Sequence, residues 1–225
     1  MIDIPLIRQD SKSDDCLRCC VLMVFKYFGD KITKDEVWKK LHVYKKHSGL
    51  WGAYFTDLGK IAIKKGYQAT IHHYDWHFWN NNTVDSNNKS TKSLISALKE
   101  LKKDKKEFGT KKEISKQISY LKLGGLFKFE LPNLKVIDSY LQKNTPVIIS
   151  LWGQDIYKNP KEDYRHTIII KGKDGDNYLI NDSLFALEKI DKDHLDYATK
   201  RRGGWMMVIE PKPDTSKLKQ EILKF

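Results

Sequence analysis

Cys16 stands at the head of the apolar run Cys16 to Phe28, which reads as a helix stopped by Gly29. A thiol in the first turn of a helix has its anion stabilised by free N–H groups and the dipole there. Thiols so placed, or paired with histidine, ionise at about pH 3.5–7.5. A nucleophilic thiol also needs a base, and the base needs a third group to fix its tautomer. His166 and Asp182 can supply both roles. His166 to Ile170 reads as a strand and Tyr178 to Ile180 as its antiparallel return. With Lys173, Asp174 and Gly175 as a three-residue turn, Gly172 faces Asp176 and His166 faces Asp182 on one side of the sheet. A two-residue turn at Asp174 and Gly175 would instead set His166 against Ser183. The oxyanion formed on attack needs donors, for which the Cys16 N–H and the side-chain amide of Gln9 are candidates.

The other thiols have a plainer reading. Cys20, Met23 and Tyr27 follow Cys16 at helical spacing, so one helix face is buried, and Cys19 and Cys20 read as core. Three cysteines, all between residues 16 and 20, build no disulfide framework and lack the second half of a zinc site. His73, Asp75 and His77 alternate along a predicted strand and are the one competing cluster, but the neighbouring Trp76, Phe78 and Trp79 suggest packing instead. No metal and no cofactor is called for.

The elements that must position these groups follow from pattern. Ile4 to Arg8 reads as an entry strand. Thr33 with Glu36 is a capping box opening a helix from Lys34 to Leu41. A helix from about Phe55 to Lys65 ends at Gly66, and a strand from Tyr67 to Tyr74 follows. Five asparagines between residues 80 and 88 mark an exposed loop. Two lysine-rich helices come next, at about 92–105 and 111–121, broken by Gly124 and Gly125. Then come a helix from Leu134 to Gln142, a strand from Val147 to Trp152 and a last strand from Trp205 to Ile209.

At this point a resemblance becomes explicit. Gln9, Asp15-Cys16, Cys20 and Met23, in the spacing Q-x5-D-C-x3-C-x2-M, resemble the opening motif of the papain-like double-glycine leader peptidases, the bacteriocin-processing family and its free-standing relatives. His166 to Ile170 with Gly172, then Tyr178-Leu179-Ile180-Asn181-Asp182, is similar to the histidine and aspartate strands of that family. The resemblance covers roughly residues 2–75 and 132–210. It implies an α+β papain-like fold, an N-terminal helix bearing the nucleophile packed on an antiparallel sheet. It implies Cys16 as nucleophile, His166 as base, Asp182 as its orienter and Gln9 as oxyanion donor. Leu17 and Arg18 depart from the glycine and small residue usual there, Cys19 from alanine, and Ser183 from a proline after the aspartate.

Charge narrows the rest. The chain has 225 residues, 41 basic against 29 acidic side chains, and a net charge of +12. Only five of the basic residues are arginine, which argues against base reading, so nucleic acid is an unlikely partner. Lys89 to Lys128 holds twelve lysines against four acids and makes the chain basic. It reads as a surface elaboration outside the catalytic core, with a solvated face or an acidic partner. The domain expectation is a single papain-like unit over 1–212 with a lysine-rich helical insertion at about 80–130, then a tail at 213–225. No apolar run approaches the ~20 residues of a membrane span, and Met1 to Pro5 lacks a secretory leader, so the cytoplasm is the default. The expected reaction is hydrolysis of a peptide or protein substrate through a thioester. The alternatives are deamidation or transamidation of glutamine by the same triad, or a catalytically silent module that binds an acidic partner.

Overall fold

The computed structural model describes residues 2–45, 52–73, 90–201 and 204–212. Eight helices and seven strands alternate in it: α1 (Cys16–Tyr27), α2 (Lys34–Lys40), α3 (Phe55–Lys64), β1 (Tyr67–His72), α4 (Thr91–Asp104), α5 (Phe108–Lys122), β2 (Leu126–Lys128), α6 (Leu134–Leu141), β3 (Val147–Trp152), α7 (Gly153–Tyr157), β4 (Arg165–Asp174), β5 (Asn177–Asn181), β6 (Lys189–Asp191), α8 (Lys192–Arg201) and β7 (Trp205–Pro211). The strands form one sheet in the order β2-β1-β7-β3-β4-β5-β6. Only the β1–β2 pair is parallel.

Apolar side chains on both faces explain why the central strands carry unbroken apolar runs. Ile148, Ile169, Met207 and Ile209 pack toward α1, α3 and α5. Val147, Ile149, Ile168, Ile170, Met206 and Val208, alternating with them, pack under α6 and α8. The capping box forms as its sequence requires, Glu36 N–H donating to Thr33 Oγ1 and Thr33 N–H to Glu36.

Three expectations are corrected. Ile4 to Arg8 is no strand, because Pro5 has no N–H to give a ladder. The segment is pinned at points instead, by Ile2 N–H to the Lys171 carbonyl, Asn181 Nδ2 to the Ile4 carbonyl and Gln9 N–H to the Ser183 carbonyl. The β4–β5 turn is not Lys173-Asp174-Gly175. Asp174 pairs with Asn177, so the two turn residues are Gly175 and Asp176, with Gly175 first and at φ 57°. One extra residue, Lys171, then bulges between Ile170 and Gly172. Nor does the lysine-rich segment stand outside the core. Ile114, Tyr120 and Leu121 of α5 are buried, and β2 pairs with β1. Tyr120 is wedged against α3, where a Cβ on Gly59 would lie 2.4 Å from its ring.

Among the described residues no helix is long and apolar enough to cross a membrane. Strand β1 ends at His72; Tyr74 and the asparagine loop lie outside the described residues.

Candidate active site

Helix α1 begins at Cys16 and packs its first turn against the start of β4. Asp15, the residue before it, accepts from Arg18 at 2.9 Å and from Trp38 Nε1 at 3.2 Å. Arg18 also reaches the carbonyls of Trp38 and Leu41, so this departure from the family pattern clamps the head of α1 to α2. Leu17, another departure, is buried and lines the cavity beside Cys16.

His166 is the second residue of β4 and is buried. It shares parity with Ile168 and Ile170, as Asp182 does with Tyr178 and Ile180, and all four of those residues belong to the core under α6 and α8. Asp182 lies just past β5, and its Oδ1 accepts from His166 Nε2 at 2.8 Å. That leaves Nδ1 of the ring free to face Cys16, whose interaction with His166 lowers the thiol and raises the imidazole. The carboxylate, 0 % exposed, also accepts from the N–H groups of Leu184, Phe185 and Leu187 and from the Tyr157 hydroxyl. The chain after β5 thus wraps around it, with Ala186 in the left-handed region at φ 57°. Tyr157 lies beside the imidazole at 5.9 Å between ring centroids and meets Phe185 edge-on at 4.7 Å.

The electrostatics follow from this packing. Burial works against a charged Cys16, but its hydrogen bond to His166, the charge of that ring and bonds to Thr167 outweigh it and hold the thiol below its ordinary value. Burial also opposes a charged His166, yet Asp182 and Cys16 push its pKa up to about 9. Asp182 stays below the usual carboxylate value despite burial, because His166 and the loop N–H groups favour its anion. The other thiols go the opposite way. Burial pushes Cys19 up to about 12 and Cys20 well above an ordinary thiol.

Gln9 is held on two sides. Its Oε1 accepts from Ser183 Oγ at 2.8 Å and its Nε2 donates to the Ser13 carbonyl at 3.0 Å. An amide NH2 carries two hydrogens, so one stays available. Ser183, buried, is a residue to which sequence reasoning assigns no role. No local signal marks it, because its partner is 174 residues away.

A cavity of about 480 Å³ opens at Cys16. Its walls come from α1, residues 52–54 and the start of α3, α5, β3, and residues 163–164 with the start of β4, with Trp152, Tyr164 and Trp205 among them. Of the cluster His73, Asp75 and His77, the structure describes His73. Its ring stacks on Trp205 at 3.5 Å and its Nδ1 donates to the Gly204 carbonyl. Asp75 and His77 lie outside the described residues, and among the described residues no group of three His, Cys, Asp or Glu is placed to hold a metal ion.

The model of the Peptidase_C39 like family matches residues 1–206. No curated protein matches the chain. Among solved structures, the chain is similar to a double glycine motif protease from an AMS/PCAT transporter, crystallised with the leader peptide, at 16% identity over 94% of each chain with a TM-score of 0.49. It is also similar to the peptidase domain of Streptococcus ComA, a bi-functional ABC transporter of a quorum-sensing pathway, at 12% identity over 92% of this chain and 98% of that one, with a TM-score of 0.47.

Proposed function

Because the chain belongs to the Peptidase_C39 like family, a family of papain-like cysteine peptidases, we propose that it hydrolyses peptide bonds with Cys16 as nucleophile, His166 as acid and base, Asp182 as orienter and Gln9 as oxyanion donor. The observation that carries this reading is the 2.8 Å hydrogen bond from His166 to Asp182 beside Cys16, which itself lines a cavity large enough for a substrate side chain.

The resting pair is a thiolate and an imidazolium. The Cys16 sulfur attacks the scissile carbonyl carbon, and the electron pair of the C=O bond moves onto oxygen. The free N–H groups of the first turn of α1 and the uncommitted hydrogen of Gln9 Nε2 stabilise that oxyanion. The oxyanion collapses and the C–N bond breaks. His166 Nδ1 gives its proton to the leaving nitrogen, and a thioester on Cys16 remains. Neutral His166 then takes a proton from water, whose oxygen attacks the thioester and releases the acid and the thiolate. Throughout, Asp182 holds the Nε2 hydrogen and thereby the orientation of the ring.

The test is rapid quenching of the full chain with peptide substrates, read by mass. The expected result is an acyl adduct on Cys16, two peptide products and no turnover by Cys16→Ala. Turnover by Cys16→Ala, or an intact substrate that has only been deamidated, overturns the reading.

A further inference from the structure

Two buried polar side chains beside the cavity at Cys16 take no part in the reaction. Gln117 of α5 is 0 % exposed, and neither its Nε2 nor its Oε1 meets a partner within the protein. Thr56 of α3 is 3 % exposed, and its Oγ1 is likewise unpartnered. Both residues line this one cavity, although they come from different helices. A buried amide left unpaired destabilises the fold, so a polar group that enters the cavity these two residues line gains by completing them.

We propose that Gln117 and Thr56 form a specificity subsite that selects a substrate side chain ending in a carboxamide, glutamine or asparagine, close to the scissile bond. This rests on the reading of the cavity as a peptidase cleft. A carboxamide offers one planar acceptor and a donor, so it can pair with Gln117 reciprocally, donor to Oε1 and acceptor to Nε2. The Thr56 hydroxyl can serve the remaining lone pair or hydrogen. Depth decides between a side chain and the substrate backbone, because fully buried groups are reached by an inserted side chain and not by a strand lying along the rim. Phe55 and Trp205 in the wall, 6.2 Å apart between centroids, suit the methylene stem of such a side chain. Donor and acceptor matching excludes the close analogues. An ionised glutamate brings no donor for Gln117 Oε1, and lysine offers no acceptor to Gln117 Nε2.

The experiment uses the full chain carrying Cys16→Ala, so that binding is read without turnover. Calorimetric titration compares short peptides that differ at one position, which is in turn Gln, Asn, Met, Glu or Lys, with the variable residue moved through the peptide. At one position Gln or Asn should bind roughly tenfold to a hundredfold tighter than Met, the two hydrogen bonds being the difference. Adding Gln117→Leu should erase that ratio, and Thr56→Val should reduce it. The ratio is read within each variant, so the amount of folded protein cancels. Equal binding of Met and Gln at every position, no binding at all, or an unchanged ratio in Gln117→Leu overturns the subsite. Hydrolysis by the chain with Cys16 intact is measured separately. Its absence with the carboxamide preference preserved strikes the nucleophile assignment alone, and its presence without preference strikes the subsite alone.

Discussion

His166 Nε2 and Asp182 Oδ1 lie 2.8 Å apart although the two residues are not ladder partners, since β4 and β5 last pair at Ile169 with Asn181. The two-residue turn alone would put them on opposite faces. The Lys171 bulge shifts the register by one and brings Asp182 back to the face of His166. Asp182→Asn should therefore lower kcat by about 10²–10⁴-fold, because the ring loses its fixed tautomer. The cost extends to stability, because an amide NH2 standing in place of Oδ2 cannot accept from the Phe185 and Leu187 N–H groups as the carboxylate does. A melting temperature equal to that of the unaltered chain, or undiminished kcat, contradicts this.

Ser183→Ala looks harmless from sequence, where Ser183 merely replaces a proline. The structure reverses that expectation. Ser183 Oγ donates to Gln9 Oε1 at 2.8 Å and so fixes which way the amide points. Its loss should lower kcat about fivefold to tenfold with little change in KM, on the order of one hydrogen bond. Gln9→Ala should cost more, about 10²-fold or above. Combining the two should add nothing to Gln9→Ala; full additivity in that double-mutant cycle would show that Ser183 acts elsewhere.

What sequence made legible was local. The helix bearing Cys16, the capping box at Thr33 and the apolar central strands are set by residues a few positions apart, and α1, α2 and β3 begin where their patterns begin. The turn was misread because a glycine in third place and a glycine in first place both suit tight hairpins, and only the pairing of Asp174 with Asn177 decides between them. The role of α5 was misread for another reason. Its lysines dominate the composition, whereas Gln117 and Tyr120, which face inward, carry no charge to announce themselves. Long-range polar contacts such as Ser183 with Gln9 leave no periodic trace.

Gly59→Ala should destabilise the fold by about 1–3 kcal/mol, as overpacking does. The added Cβ would stand 2.4 Å from the Tyr120 ring. That ring cannot swing away cheaply, because its hydroxyl donates to the Ala69 carbonyl at 2.6 Å and accepts from Leu126 N–H at 3.2 Å. Denaturant unfolding reads the change, and the paired variant Gly59→Ala with Tyr120→Phe should recover part of it. An unchanged midpoint for the single variant would refute the packing argument.

Iodoacetamide at neutral pH should modify Cys16 alone in the folded chain. Cys16 is partly exposed and its thiol is held below the ordinary value by His166, whereas Cys19 and Cys20 are buried and raised. Peptide mapping after partial labelling checks this. Comparable labelling of Cys19 or Cys20 before unfolding would mean that the face of α1 is not packed as described.

The pH dependence of kcat/KM should be bell-shaped, with both limbs set by the Cys16–His166 pair. Activity rises as the thiol ionises, and that limb must lie below 9, the ordinary thiol value, because His166 favours the thiolate. Activity falls as the imidazolium loses its proton near about 9, leaving no acid for the departing amine. The two apparent values belong to the pair and not to either residue. Linkage gives an independent check on His166. Its pKa rises from 6.5 in the unfolded chain to about 9 in the fold, so its contribution to stability is complete below 6.5 and disappears as pH climbs through 9. Cys16→Ala removes one of the two partners that raise it, so in that variant the loss should begin at lower pH. An ascending limb at or above 9, or a melting profile in which Cys16→Ala loses stability at the same pH as the unaltered chain, would mean that the thiol and the imidazole do not form an ion pair.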